Sequence, residues 1–134
     1  MLHHVSFGVT DLARSSRFYD AVLAEIGYVR VWEDLAEGSE DQAIGYGTKE
    51  GDDKFAIKLR RGVTVAAGPG FHLAFAAPDP ASVHRFHAAA LANGGRDNGA
   101  PGPRPGHGPG YHACFVLDPD GHRLEAVSND SNER

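Results

Sequence analysis

The sequence predicts an α+β fold: two βαβββ modules in pseudo-twofold repeat, forming a cupped, mostly antiparallel sheet with helices outside. Three observations predict it. The chain repeats itself at an offset of 68 residues; each copy opens with a strand, a turn and a helix; and strand-like segments follow each helix. The modules span about residues 1–62 and 69–130, within one domain covering 1–134.

The repeat is read without a gap. HVSFGVTDLARSSRFYDAVLAEIG (4–27) falls on HLAFAAPDPASVHRFHAAALANGG (72–95), with ten of 24 positions identical. In the first copy Val5, Phe7 and Val9 alternate with His4, Ser6 and Gly8, the period of a strand. Asp11 is placed to cap a helix by accepting a bond from an orphan backbone N–H. Phe18, Tyr19, Val22, Leu23 and Ile26 share one helical face, and Gly27 suits its C-terminal end. In the second copy Asp79 is the cap, and Pro80 takes the first helical position, where its missing N–H costs nothing. Val83, Phe86, Ala90 and Leu91 form the expected buried face, and Gly94 and Gly95 end the helix. Further strands are expected near 28–33, 42–47 and 55–60, then near 96–100, 111–117 and 123–127.

Composition narrows the function classes. Hydrophobic residues make up 41% and charged residues 23% of the 134, an ordinary globular balance with enough chain for a real core. A net charge of −5 argues against a broad nucleic-acid surface. The opening MLHHVSFGV lacks the pattern of a signal peptide, and no apolar run approaches a membrane span, so a cytoplasmic protein is expected. Cys114, the one cysteine, lies in an apolar run and reads as a small buried hydrophobe.

The repeat also makes a geometric prediction. His4 and His72 begin equivalent strands. DKFAIKL (53–59) aligns with DGHRLEA (120–126) at an offset of 67, which sets Lys58 opposite Glu125. A site near the pseudo-twofold axis would gather His4, Lys58, His72 and Glu125. Glu125 is the odd member, because a carboxylate is disfavoured in a strand unless it is solvated or has a cation to bind.

With these residues in view, the chain resembles the vicinal oxygen chelate superfamily, which includes glyoxalase I, extradiol dioxygenases, fosfomycin-modifying enzymes and bleomycin-binding proteins. HVSFGVTDLARSSRFY resembles the family's opening strand and helix, FHLAFAAPD the opening of its second module, and FVLDPDGHRLEAV its closing hairpin. The resemblance implies a cup around one divalent metal ion (Fe, Mn, Zn or Ni), with His4, His72 and Glu125 at metal-ligand positions. Two imidazoles and a carboxylate leave positions open for a substrate's paired oxygens. The fourth ligand of the glyoxalase I branch is replaced by Lys58, whose ammonium has no lone pair. Lys58 then either holds a substrate oxyanion or pairs with Glu125 in a metal-free site. The resemblance further implies a homodimer, with modules sometimes exchanged between chains.

Other candidates follow from chemistry alone. GAPGPRPGHGPGY (99–111) has nine Gly or Pro among thirteen residues, and is expected to be a loop rather than helix or regular strand. It carries Arg104, His107 and Tyr111, suited to bind an anion, move a proton and stack on a ring. His3 reads as structural or exposed, His84 and His87 as surface or boundary residues, His122 as a solvated hairpin residue, and His112 is ambiguous. The sequence therefore points to a metal-dependent enzyme of glyoxalase or dioxygenase type, acting on a small molecule with vicinal oxygens, with Lys58 and His107 as the catalytic candidates. The alternative is a metal-free protein that binds a small, antibiotic-like molecule. Neither a nucleic acid nor a membrane is an expected partner.

Overall fold

The computed structural model describes residues 1–129, so residue 130, the expected end of the second module, lies outside them. The order is β1 (Val5–Val9), α1 (Leu12–Ala24), β2 (Val29–Asp34), β3 (Ala43–Gly47), β4 (Asp53–Leu59), β5 (Leu73–Ala76), α2 (Pro80–Ala92), β6 (Arg96–Pro103), a 3-10 turn (Pro105–His107), β7 (Tyr111–Leu117) and β8 (Arg123–Asn129). The strands form two four-stranded sheets, ordered β1-β4-β3-β2 and β5-β8-β7-β6. In each, the strand that opens the module lies parallel to the one that closes it, and the other neighbours are antiparallel. The repeat read from the sequence is thus the repeat of the fold. No helix among the described residues is long and apolar enough to cross a membrane.

Local chemistry sets the helix ends. Asp11 accepts from the Arg14 amide at 3.0 Å, and Asp79 accepts from the Ser82 amide at 2.8 Å. Past α1, Gly27 has φ of 93°, a left-handed conformation that favours glycine. Past α2, Gly95 meets a packing constraint instead: a Cβ there would lie 2.6 Å from Phe18 Cε1 and 2.9 Å from two carbonyl oxygens.

The two modules share one core. Phe55 of β4 sits edge-on to Phe7 (5.2 Å between centroids) and to Phe75 of β5 (5.3 Å), and Tyr19 of α1 lies 4.9 Å from it. Phe18, Val22, Leu23, Val83, Phe86 and Ala90 bring both helices into the same cluster. Cys114 is also fully buried; its Sγ donates to the Val83 carbonyl at 3.6 Å, and burial pushes its pKa up to about 11. Leu91, expected inside, is 45% exposed. It follows His87 by four positions and shares that residue's side of α2, beyond the narrow stripe of Val83, Phe86 and Ala90.

The turn between β7 and β8 fastens the modules together. Tyr19 donates its hydroxyl to Asp118 Oδ2 at 2.6 Å, while Asp118 Oδ1 accepts from the Asp120 and His122 amides at 2.9 Å each. Asp120 accepts from the Thr10 amide (3.1 Å) and hydroxyl (2.5 Å), and from Arg14 Nη2 (2.9 Å). His122, expected to be solvated, is 3% exposed. Its ring stacks on Phe7 at 4.1 Å, and its Nε2 donates to the Gly8 carbonyl at 2.7 Å. The hairpin tip folds back onto the first module, so its neighbours come from more than a hundred residues away in sequence and not from the turn itself.

The Gly/Pro-rich stretch also departs from expectation, because β6 runs as far as Pro103. Its ladder with β7 slips between Asp97 and Gly99 and again between Gly99 and Gly102. β6 is an edge strand, where a proline without an N–H and an irregular register are both tolerated.

Candidate functional site

Alternation along the strands separates two faces. In β8, Leu124, Ala126 and Ser128 are buried towards the helices, and Arg123, Glu125 and Val127 point the other way. Glu125 is paired in register with Ala74 on one side and Phe115 on the other. Its open-face neighbours therefore come from the start of β5 and from alternate residues of β7: Tyr111, Ala113 and Phe115.

Glu125 is held from two directions. His72 Nε2 lies 2.8 Å from Oε1, and the Tyr111 hydroxyl donates to Oε2 at 2.7 Å. The carboxylate residue is only 3% exposed, whereas the His72 side chain is 48% exposed. Donation to Glu125, helped by desolvation, pushes the Tyr111 pKa up to about 12, so the phenol remains a donor across the physiological range. The His72 ring stands 6.1 Å from Phe115, and the Arg104 guanidinium lies 5.7 Å over the same ring. Arg104 is anchored by the carbonyls of Gly102 (3.0 Å) and Ala100 (2.6 Å). The His107 ring is 5.1 Å from that of Tyr111. Five of the seven residues singled out from sequence, His72, Arg104, His107, Tyr111 and Glu125, thus belong to one neighbourhood on the second sheet.

Lys58 belongs to the first sheet, and His4 directly precedes its strand β1. His4 is exposed, with its Nδ1 2.9 Å from that of His3. Lys58 is exposed and pairs in register with Gly8 and Ala43. Among the described residues of one chain, no three His, Cys, Asp or Glu side chains gather closely enough to hold a metal ion.

Strand register corrects the alignment that set Lys58 opposite Glu125. Ser6 pairs with Ala56, and its repeat counterpart Ala74 pairs with Glu125. Ala56 also pairs with Gly45 as Glu125 does with Phe115. The counterpart of Glu125 is therefore Ala56. Lys58 shares its face but lies two residues further along, because the closing strands correspond at an offset of 69, not 67.

Two residues of this surface escaped the sequence reading. Phe115 belongs to the apolar run around Cys114, but alternation along β7 puts it on the Tyr111 side. Trp32 is the other. In the first module its indole lies over Gly45, where a Cβ would come within 2.2 Å of Nε1. In the second module the relationship is inverted: Phe115 occupies the central strand and lies against Gly99 of the edge strand, where a Cβ would come within 3.0 Å of the ring.

A buried carboxylate and an imidazole nitrogen converging on one point form a mixed O/N donor pair that suits a first-row divalent ion, and Tyr111 orients the carboxylate as an outer partner would. The chain supplies two such donors at this point; His4, the third expected from the sequence, lies away from them, just ahead of β1.

Paired βαβββ modules with an open-face glutamate and histidine define the class of fold. The family model described as the Glyoxalase/Bleomycin resistance protein/Dioxygenase superfamily matches residues 1–126, and the chain belongs to that superfamily. It is similar to a glyoxalase/bleomycin resistance protein from Albidiferax ferrireducens T118, with 31% identity, coverage of 96% of this chain and 98% of that one, and a TM-score of 0.75. A glyoxalase-related enzyme from Fulvimarina pelagi is 24% identical, with coverage of 94% and 86% and a TM-score of 0.68. Glyoxalase I from Zea mays shares the fold at 22% identity and a TM-score of 0.76; the match covers 98% of this chain and 47% of the maize chain. No curated protein matches the sequence.

Proposed function

We propose that the chain is a divalent-metal-dependent enzyme of glyoxalase or dioxygenase type, acting on a small molecule with vicinal oxygens. The observation that carries this is Glu125, buried to 3% exposure with an imidazole and a phenol as its hydrogen-bond partners among the described residues. A carboxylate taken so far from water is best balanced by a cation. His72 and Glu125 hold the ion, and His4 supplies the third ligand from a second copy of the chain in a homodimer that faces the first sheet of one copy against the second sheet of the other. The ion, Fe, Mn, Zn or Ni, supplies Lewis acidity for the paired oxygens.

The chain's own residues do the rest. Tyr111 fixes the orientation of Glu125 and remains protonated. Phe115 forms an apolar wall, with Arg104 above it as a fixed positive charge. Lys58 offers its ammonium to a developing oxyanion, and His107, beside Tyr111, is the group that exchanges a proton. A cytoplasmic location belongs to the same proposal.

The test is elemental analysis of tag-free protein, with titration of Mn(II), Fe(II), Zn(II) and Ni(II). The expected result is one ion per chain bound at this centre, severely weakened by His72→Ala and by Glu125→Gln. Equal affinity in wild type and both variants would overturn the proposal.

A second reading is a metal-free binding protein. It is favoured by Ala56, which offers no donor where Glu125 has its counterpart, and by Glu125 having both oxygens already engaged. Wild-type protein that binds none of the four ions would support it.

A further inference from the structure

On the opposite face of the second sheet, two histidines outside the candidate site meet nitrogen to nitrogen. His84 projects from α2 and His112 from β7, and their Nε2 atoms are 3.0 Å apart, with ring centroids at 5.1 Å. His112 is next to Tyr111 in sequence but points the other way: it pairs with Ser128, on the helix-facing side, whereas Tyr111 shares the face of Glu125. The pair is therefore separated from the Glu125 site by the sheet itself.

We propose that His84 and His112 form a second metal site, for a single Zn(II), Cu(II) or Ni(II) ion bound through the two Nε2 atoms and completed by water. The geometry carries the inference. Two imidazole nitrogens at ordinary bonding distance from one ion, with an angle between a right angle and the tetrahedral value, stand roughly 2.9–3.4 Å apart. The observed separation of 3.0 Å falls in that interval. Two Nε2 atoms at this distance share either a proton or a cation, because two lone pairs facing each other repel. Imidazole selects the later first-row ions over Mg(II) and Ca(II), which prefer oxygen. His84 is exposed and open to entering ions. His87, one turn further along α2, is engaged with Asp97 at 2.9 Å and is not counted among the ligands. A bound ion would staple α2 to β7.

The test is calorimetric titration of the full-length, tag-free chain with Zn(II), on wild type, His84→Ala, His112→Ala and His72→Ala. The expected result is a Zn(II) site that survives in His72→Ala and is weakened at least tenfold in both His84→Ala and His112→Ala. Exposed His84 can be replaced without disturbing the core, and circular dichroism of both variants separates lost binding from lost fold. Cu(II) electron paramagnetic resonance should show two nitrogen ligands in His72→Ala and one in the His72→Ala/His84→Ala double variant. An unchanged isotherm in His84→Ala would overturn the proposal, as would loss of all binding in His72→Ala alone. Because the Glu125 site is probed by His72→Ala and this one by His84→Ala, either can fail without the other.

Discussion

Ala56 stands in the first module where Glu125 stands in the second, each paired with the counterpart residue of its opening strand, Ser6 or Ala74. A methyl group therefore occupies the place from which a fourth ligand would come, and that alanine is 1% exposed. Ala56→Glu should destabilise the metal-free protein by about 1–3 kcal/mol through burial of an unpaired carboxylate. On the proposed centre, Mn(II) should restore much of that loss. Lys58→Glu, at an exposed position, should change stability by no more than about 0.5 kcal/mol. Thermal melts with and without Mn(II) check both, and equal behaviour of the two variants would place the alignment back at Lys58.

Tyr111→Phe removes the donor to Glu125 Oε2. It should cost about 1–3 kcal/mol, the range for a buried group left without its partner. Urea unfolding measures the loss. Full stability would mean that water replaces the hydroxyl without penalty.

Alkaline pH should unfold the protein early. Burial raises Tyr19 and Tyr46 well above the ordinary phenol range, and donation to Glu125 raises Tyr111 to about 12. The unfolded chain releases these three protons near pH ~10, while the folded chain retains them. The stability they contribute is complete below that pH and falls as pH rises through the folded values. Unfolding midpoints between pH 8 and 11.5 should drop steadily above pH 10, and Tyr111→Phe should shallow the slope.

Asp118 and Tyr19 form a buried pair joining the modules. Asp118→Ala leaves the Tyr19 hydroxyl and two backbone amides without an acceptor, and should cost about 2–4 kcal/mol. A double-mutant cycle with Tyr19→Phe should return a coupling energy of about 1–3 kcal/mol. A coupling near zero would show that the hydroxyl contact carries no stability.

Gly45→Ala puts a methyl into the space of the Trp32 indole. Trp32 is the only tryptophan in the chain, so its fluorescence reports the displacement directly. The emission should shift to the red, with about 1–3 kcal/mol of destabilisation from overpacking. An unshifted spectrum would mean that the indole does not rest on Gly45.

What the sequence made legible was local. Asp11 and Asp79 announce their helices because a cap acts within three residues, and the strands announce themselves by alternation. Tyr111, Arg104 and His107 stand out by their chemistry, although the glycines and prolines before Arg104 suggest a loop where β6 runs. Ala56 was missed because matching Asp53 to Asp120 drew the alignment two residues off; Asp53 opens a strand, whereas Asp120 sits in a turn. His122 was misjudged because its surroundings belong to β1, far away in sequence. Register and inter-module packing depend on ladders and contacts that a linear comparison does not contain.

The fastening at Asp118, Asp120 and His122 also sets a timetable. Its bonds span 99 residues to Tyr19, 110 to Thr10 and 114 to Gly8. As the chain leaves the ribosome, α1 and β1 wait for partners that emerge only with the last strands. The first module must keep the Phe7 ring face that His122 covers, and the Tyr19 hydroxyl, without those partners throughout that interval. Contacts of such sequence separation slow folding and prolong exposure to aggregation. A nascent chain truncated before residue 118 should therefore be a chaperone client, and release of the full-length chain should coincide with synthesis of its final hairpin.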